Sequence, residues 1–208
     1  MNYDFTDLSP ARQKKIFDIC TQERKDAALN GVIIGLKCMN QIHGFGLERL
    51  AKLSTTWGNA ITDWYTNTEE RHREGFRPEC VDAGDLLADV DTVFFDLSES
   101  RRRKIKAFLN YERKDAEFNA CMIGVDTIKK ELHFGEGRLE PLLNQWQYDI
   151  RDFYQDREIN EPRLKEWIED IGFCFDGGKL QTYRANDGKL IKKSTVERWE
   201  AEDAEKKI

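Results

Sequence analysis

The stretch Glu23-Arg24-Lys25-Asp26-Ala27 returns letter for letter as Glu112-Arg113-Lys114-Asp115-Ala116. Extended outward from that match, residues 5–65 and 94–154 align without a gap at a constant offset of 89, and 24 of the 61 pairs are identical. The shared segments include FTDLS against FFDLS at 5–9 and 94–98, and FGLERL against FGEGRL at 45–50 and 134–139. A repeat this long, in two copies only, predicts a duplicated helical domain with internal pseudo-symmetry, because a solenoid needs three or more units. No motif in the chain names a reaction.

Composition agrees with a helical protein. Of 208 residues, 39% are hydrophobic and 35% charged, while Gly (14) and Pro (4) are scarce enough to leave long helices unbroken. Five Trp, twelve Phe and six Tyr supply a core despite the low aliphatic content. With a net charge of −6 and no basic run longer than Arg101–Lys106 (RRRKIK), a nucleic-acid partner is disfavoured. Cys20, Cys38, Cys80, Cys121 and Cys174 are odd in number and share no spacing, so neither a disulfide nor a zinc site is expected. The N-terminal stretch MNYDFTDLSP has no apolar signal core, and no apolar run approaches a membrane span. A soluble cytoplasmic protein with no cofactor is the expectation.

Each copy opens with a helix start. Ser9 is a good N-cap with Pro10 at the first helical position, and Ser98 stands before Glu99. A long helix is predicted from there to about His43, and its twin to about Leu132. Glycine-containing turns follow, HGFG in one copy and HFGEG in the other. Second helices are predicted over 47–67 and 137–155, with the stripes Leu50, Leu53, Trp57, Ile61 and Leu139, Leu142, Trp146, Ile150, Phe153 at helical spacing. Residues 66–81 read as a loop, with short third helices at Asp82–Val90 and at Arg163–Gly172. The last part, FCFDGGKLQTYRANDGKLIKKS, reads as two or three short strands with turns at Asp176-Gly177-Gly178 and Asn186-Asp187-Gly188. Ser194 with Glu197 predicts a capping box for a final helix. The expected architecture is mainly α. Residues 1–93 and 94–172 form two helical repeat units packed about a pseudo-twofold axis, and 173–208 form a β-hairpin with a C-terminal helix.

On the long helices, Ala27, Gly31 and Gly35 repeat as Ala116, Ala120 and Gly124. Small residues four apart let backbones approach, so the two long helices are expected to cross there. Glu23 and Asn30, with Glu112 and Asn119, lie on the same face as Ile16, Ala27, Ile34 and their twins. A half-buried carboxylate needs a partner, and Arg24, Arg113, Arg49 and Arg138 are the candidates. The bland reading is a clasp of ion pairs that docks one copy on the other. In a ligand reading, the four arginines converge on an anion while Phe45, Phe134, Trp57 and Trp146 stack a base. A third reading takes Glu23-x-x-Asp26 and Glu112-x-x-Asp115 as Mg²⁺-binding pairs of a nucleotide pyrophosphohydrolase, since carboxylates three apart share a helix side. His43 and His133 nearly correspond but are offset by 90, so a metal site on both requires that slip to be absorbed at the turn. Catalytic residues and metal ligands are not assigned.

The turn Gly44-Phe45-Gly46-x-x-Arg49-Leu50, its twin Phe134-Gly135-x-x-Arg138-Leu139, and the later Arg163–Gly172 (RLKEWIEDIG) resemble segments of short helical accessory proteins of phages and prophages of Gram-positive bacteria. There a long helix ends in FGFG-x-x-RL, continues into a second helix and closes with a short acidic-hydrophobic one; Glu136-Gly137 in the second copy departs from that pattern. The resemblance implies a setting, an accessory phage protein inside a bacterial host cell, and no chemistry. The leading expectation is a non-enzymatic interaction protein that inhibits or regulates a bacterial or phage macromolecule, as an antagonist of a defence system would. Its partner is expected to be a protein, with homodimerisation open through an unpaired apolar patch. The runner-up is a sponge for a nucleotide or other small anion bound between the repeats.

Overall fold

The computed structural model describes residues 3–66, 88–176 and 179–205. Helix α1 spans Pro10–His43, α2 Leu47–Thr66, α3 Ala88–Val93, α4 Glu99–Leu132, α5 Glu136–Gln155 and α6 Arg157–Ile171. Strands β1 (Phe173–Asp176) and β2 (Lys179–Thr182) pair antiparallel, with Phe173 opposite Thr182, before α7 (Lys193–Glu205). The fold is mainly α.

α1 packs chiefly against α4. The two run parallel and in register, not crossed. Near their starts Arg12 pairs with Asp96 and Arg101 with Asp7 at 2.8 Å. Midway Arg24 meets Glu112, and at the far end His43 packs edge-on against Phe134 at 4.8 Å. The first two pairs are one interaction seen from either side of the pseudo-twofold axis, as a self-complementary contact requires. Along α1, Ile16, Cys20, Glu23, Ala27, Asn30, Ile34 and Cys38 advance in steps of four and three, the spacing of a two-stranded seam. All but Glu23 are buried, Asn30 included.

The shorter helices exchange partners: α2 lies on α4, and α5 on α1. Trp57 from α2 therefore covers Gly124 of α4, while Trp146 from α5 covers Gly35 of α1. The two indoles, both fully buried, meet edge to face with centroids 5.2 Å apart. This revises the expected role of the small-residue stripe. Gly31 does face α4, where an added Cβ would touch Cys121 and Glu117, but Gly35 and Gly124 make room for tryptophans. A Cβ on Gly35 would lie 2.5 Å from Trp146 Cζ2 and 2.6 Å from Trp57 Cη2. Gly35→Ala is accordingly expected to lose about 1–3 kcal/mol of stability by overpacking, whereas a merely helical glycine would gain up to about 1 kcal/mol from the same change. The shift of a urea midpoint gives the sign directly.

The repeats share one core. Ile33, Leu36, Met39, Leu50 and Trp57 join Cys121, Ile128, Leu142, Trp146 and Ile168 in a single cluster that also takes Phe173 of β1. A second cluster closes the start of the helix pair, and there the repeated FTDLS and FFDLS segments bury Phe5, Leu8, Phe94 and Leu97 beside Ile16 and Ile105.

Several local expectations change. Ser9 and Ser98 hold the N-cap position with extended backbone, yet neither side chain caps its helix. α7 starts at Lys193, with the Lys192 carbonyl accepting from Thr195 N–H at 3.0 Å, so Ser194 lies inside the helix and forms no capping box. α6 begins at Arg157, six residues before the predicted start; Pro162 forfeits only the bond to the carbonyl of Glu158, an exposed residue. The predicted loop 66–81 and most of the helix 82–90 lie outside the described residues; Thr66 belongs to α2, and the part described beyond it is α3. Beyond β2, the predicted third strand is reduced to a single bridge between Arg184 and Leu190.

Candidate functional site

Both repeats place their FGxxRL turn at the same end of the helix pair. α1 terminates at Gly44, whose φ of +64° returns its N–H to the Asn40 carbonyl at 3.0 Å. The equivalent residue of the second copy is His133, in the same left-handed region at φ +51°. This resolves the mismatch of the histidines: His133 is the exposed turn residue that matches Gly44, while His43 lies one position earlier and packs on Phe134. They do not form a symmetric pair.

After each turn a phenylalanine tucks under the start of the next helix. Phe45 and Phe134 are buried, with rings 6.4 Å apart and nearly perpendicular. Four residues later an arginine reaches back over the ring, since i and i+4 fall close together where the chain enters a helix. Arg49 Cζ lies 5.4 Å from the Phe45 centroid, and Arg138 Cζ lies 5.4 Å from that of Phe134. Both arginines line one cleft of about 680 Å³ with His43, Lys52 and the two phenylalanines, and Glu131 is its carboxylate. Among the described residues none of Arg49, Arg138 and Lys52 has an ion-pair partner, whereas Arg12, Arg24 and Arg101 each pair across the repeat boundary. Three cations against one carboxylate give the lining of this cleft a net positive charge.

The other expected site residues lie elsewhere. Arg24 is about 19 residues before the end of α1, roughly 28 Å at 1.5 Å per residue, so the four arginines do not converge. Arg24 pairs with Glu112, approaches Asp115 at 3.8 Å, and lies over Tyr65 at 5.7 Å. Asn119, buried, donates to Asp115 at 3.0 Å, and Asp26 accepts from Gln22 at 2.9 Å. Glu23 faces Arg157 at 3.9 Å, and burial raises its pKa against the pull of Arg157 and Arg113. Asn30 is buried in the seam. Arg24 with Glu112 and Asp115 clasps one copy to the other, whereas Asp26 and Asn119 bond within their own helices. The carboxylates of the second ExxD pair have Arg24 between them, and among the described residues no group of three His, Cys, Asp or Glu is placed to hold a metal ion. Trp57 and Trp146 are core, so only the phenylalanines of the proposed stacking set reach the cleft.

The clasp is asymmetric in a way the repeat conceals. Arg113, the twin of Arg24, is 1% exposed and lies 4.4 Å from the centroid of Tyr154. Beside it stands Glu117, also 1% exposed, at the position that is Ala28 in the first copy. Burial lifts the Glu117 carboxyl to about 7, with Arg113 and the Tyr154 hydroxyl pulling the other way, although carboxylate and hydroxyl close no well-formed hydrogen bond. In the first copy, with Ala28 and a Tyr65 that is 46% exposed, the corresponding place is an open groove of about 570 Å³ between α1 and α2. Glu117, Arg157 and Lys52 leave no mark in the repeat because their twins are different residues or lie outside it. Tyr65 and Tyr154, which close the shared IxDxY segment, were the available signal for the arginine partners.

No protein-family model matches the chain, and no curated protein or solved structure matches it either. Among the described residues no helix is long and apolar enough to cross a membrane.

Proposed function

We propose that this chain is a non-enzymatic binding protein that captures a small anionic ligand of nucleotide size in the cleft between the FGxxRL turns. One observation carries the reading: the arginine kept in both copies of that turn lines a single cleft from each side, and neither is neutralised by an ion pair among the described residues. Arginine's planar fork suits phosphate and carboxylate, and its stacking on phenylalanine holds the fork ready before the ligand arrives. A volume of about 680 Å³ is within the ordinary range for small-molecule sites. In the phage setting that the FGxxRL resemblance implies, such a protein inhibits or regulates by sequestering an anion that a host or phage macromolecule needs.

Thermal melting against inorganic phosphate and a panel of nucleotides, with and without Mg²⁺, tests this. A ligand at a hundred times its Kd adds about 2.7 kcal/mol to the native state, which for a chain of this size is a rise of roughly 5–10 °C. The rise is expected to vanish in the Arg49→Ala/Arg138→Ala double variant, whose own melting temperature should stay near that of the parent because both side chains are exposed. Absence of a shift with every compound rejects the proposal.

A further inference from the structure

Resting on the anion-binding reading, the geometry points to the class of ligand: one molecule carrying two phosphate groups and two flat bases, as a dinucleotide does. The cleft lies where the two repeats meet at the end of the α1–α4 pair, and its central residues come as repeat-equivalent couples, Phe45 with Phe134 and Arg49 with Arg138. Each arginine takes the same posture, its guanidinium 5.4 Å from its own phenylalanine ring. One face of each guanidinium is thus spent on a ring of the protein. The other face is left to stack a base, and the N–H edge to fork a phosphate oxygen.

A site that presents this unit twice about a pseudo-twofold axis is matched by a ligand that repeats its own base and phosphate. Charge agrees with that count. Three cations, Arg49, Arg138 and Lys52, line the cleft with one carboxylate, Glu131, leaving a surplus of two positive charges for two phosphate groups. The copies differ at the rim, where Lys52 of α2 has Pro141 as its twin and His43 has Leu132. The two halves of the ligand are therefore held unequally, and a cyclic dinucleotide, or a linear one bearing a 5′-phosphate, satisfies the pattern.

Isothermal titration of the full chain with cyclic di-adenylate, cyclic di-guanylate, 5′-phosphorylated linear diadenylate, adenosine monophosphate and inorganic phosphate provides the test. The expected result is one dinucleotide per chain, bound at least tenfold more tightly than the mononucleotide. Arg49→Ala and Arg138→Ala should each weaken it about tenfold or more, the scale of one hydrogen bond to a charged group. Circular dichroism verifies that both variants remain folded. Equal affinity for mononucleotide and dinucleotide, two mononucleotides per chain at the dinucleotide's affinity, or dependence on only one arginine overturns the two-phosphate inference while leaving anion binding intact. Failure of every compound to bind overturns both.

Discussion

Trp57→Ala is expected to lower the unfolding free energy by about 3–5 kcal/mol, the usual loss for emptying a large buried aromatic site and a sizeable part of the 5–15 kcal/mol that holds a domain folded. The residue is fully buried, packs edge to face on Trp146, and donates its indole N–H to the Ala120 carbonyl at 2.9 Å. It also sits where an added Cβ on Gly124 would overlap its ring. That last contact makes the argument testable beyond its size. Gly124→Ala alone should destabilise by about 1–3 kcal/mol. In the Trp57→Ala background the same change should turn stabilising by up to about 1 kcal/mol, because the clash is gone and alanine is the better helix former. Urea denaturation of the four proteins yields the coupling. If Gly124→Ala has the same effect in both backgrounds, the interlock of α2 with α4 is not what stabilises the pair.

The second large effect concerns Glu117. Its carboxyl titrates near 7 in the folded protein against a reference of 4.5. Below about 4.5 it is protonated whether folded or not, and it contributes no pH dependence. Between about 4.5 and 7 the folded state holds the proton more tightly, so stability falls as pH rises; above 7 the loss is complete. A difference of that size corresponds to roughly 3 kcal/mol. The groups that face Glu117, Arg113, Tyr154, Arg157 and Lys114, are already included in that balance. Glu117→Gln keeps the shape and removes the titration, so its stability relative to the parent should be near neutral at pH 4 and improve by roughly 3 kcal/mol at pH 8. Glu23, also raised by burial, adds a slope of the same sign to both proteins and cancels in the comparison. A parent and variant with parallel stability curves from pH 5 to 8 would show that Glu117 is solvated or paired well enough to stay ionised.

Much of the architecture was legible from the repeat. Two equal helices of 34 residues, each followed by one of 20 residues, appear where the periodic stripes and the glycine turns place them. Their pairing about a pseudo-twofold axis also follows, because two copies with the same apolar face bury most by facing each other. The stripe of small residues was read less completely. Periodicity says which face of a helix is covered, not which neighbour covers it, and so it does not reveal that tryptophans from the exchanged helices pack on Gly35 and Gly124. The site residues divided for a similar reason. Residues common to both copies include the clasp and the cleft alike, and only their positions along the helix pair separate Arg24 from Arg49.

By itself, then, the chain's sequence determined the elements, their duplication, the buried stripes and the paired FGxxRL turns, since each depends on local spacing and turn chemistry. Tertiary structure alone decided that the long helices run parallel in register, that α2 and α5 trade partners, and that Glu117 is sealed beside Arg113 while Ala28 leaves its counterpart open. It also decided which arginines are neutralised and which two are left facing a cleft. Those outcomes depend on distances between residues far apart in the chain, where one ångström separates an ion pair from an unpaired charge and no spacing along the sequence records it.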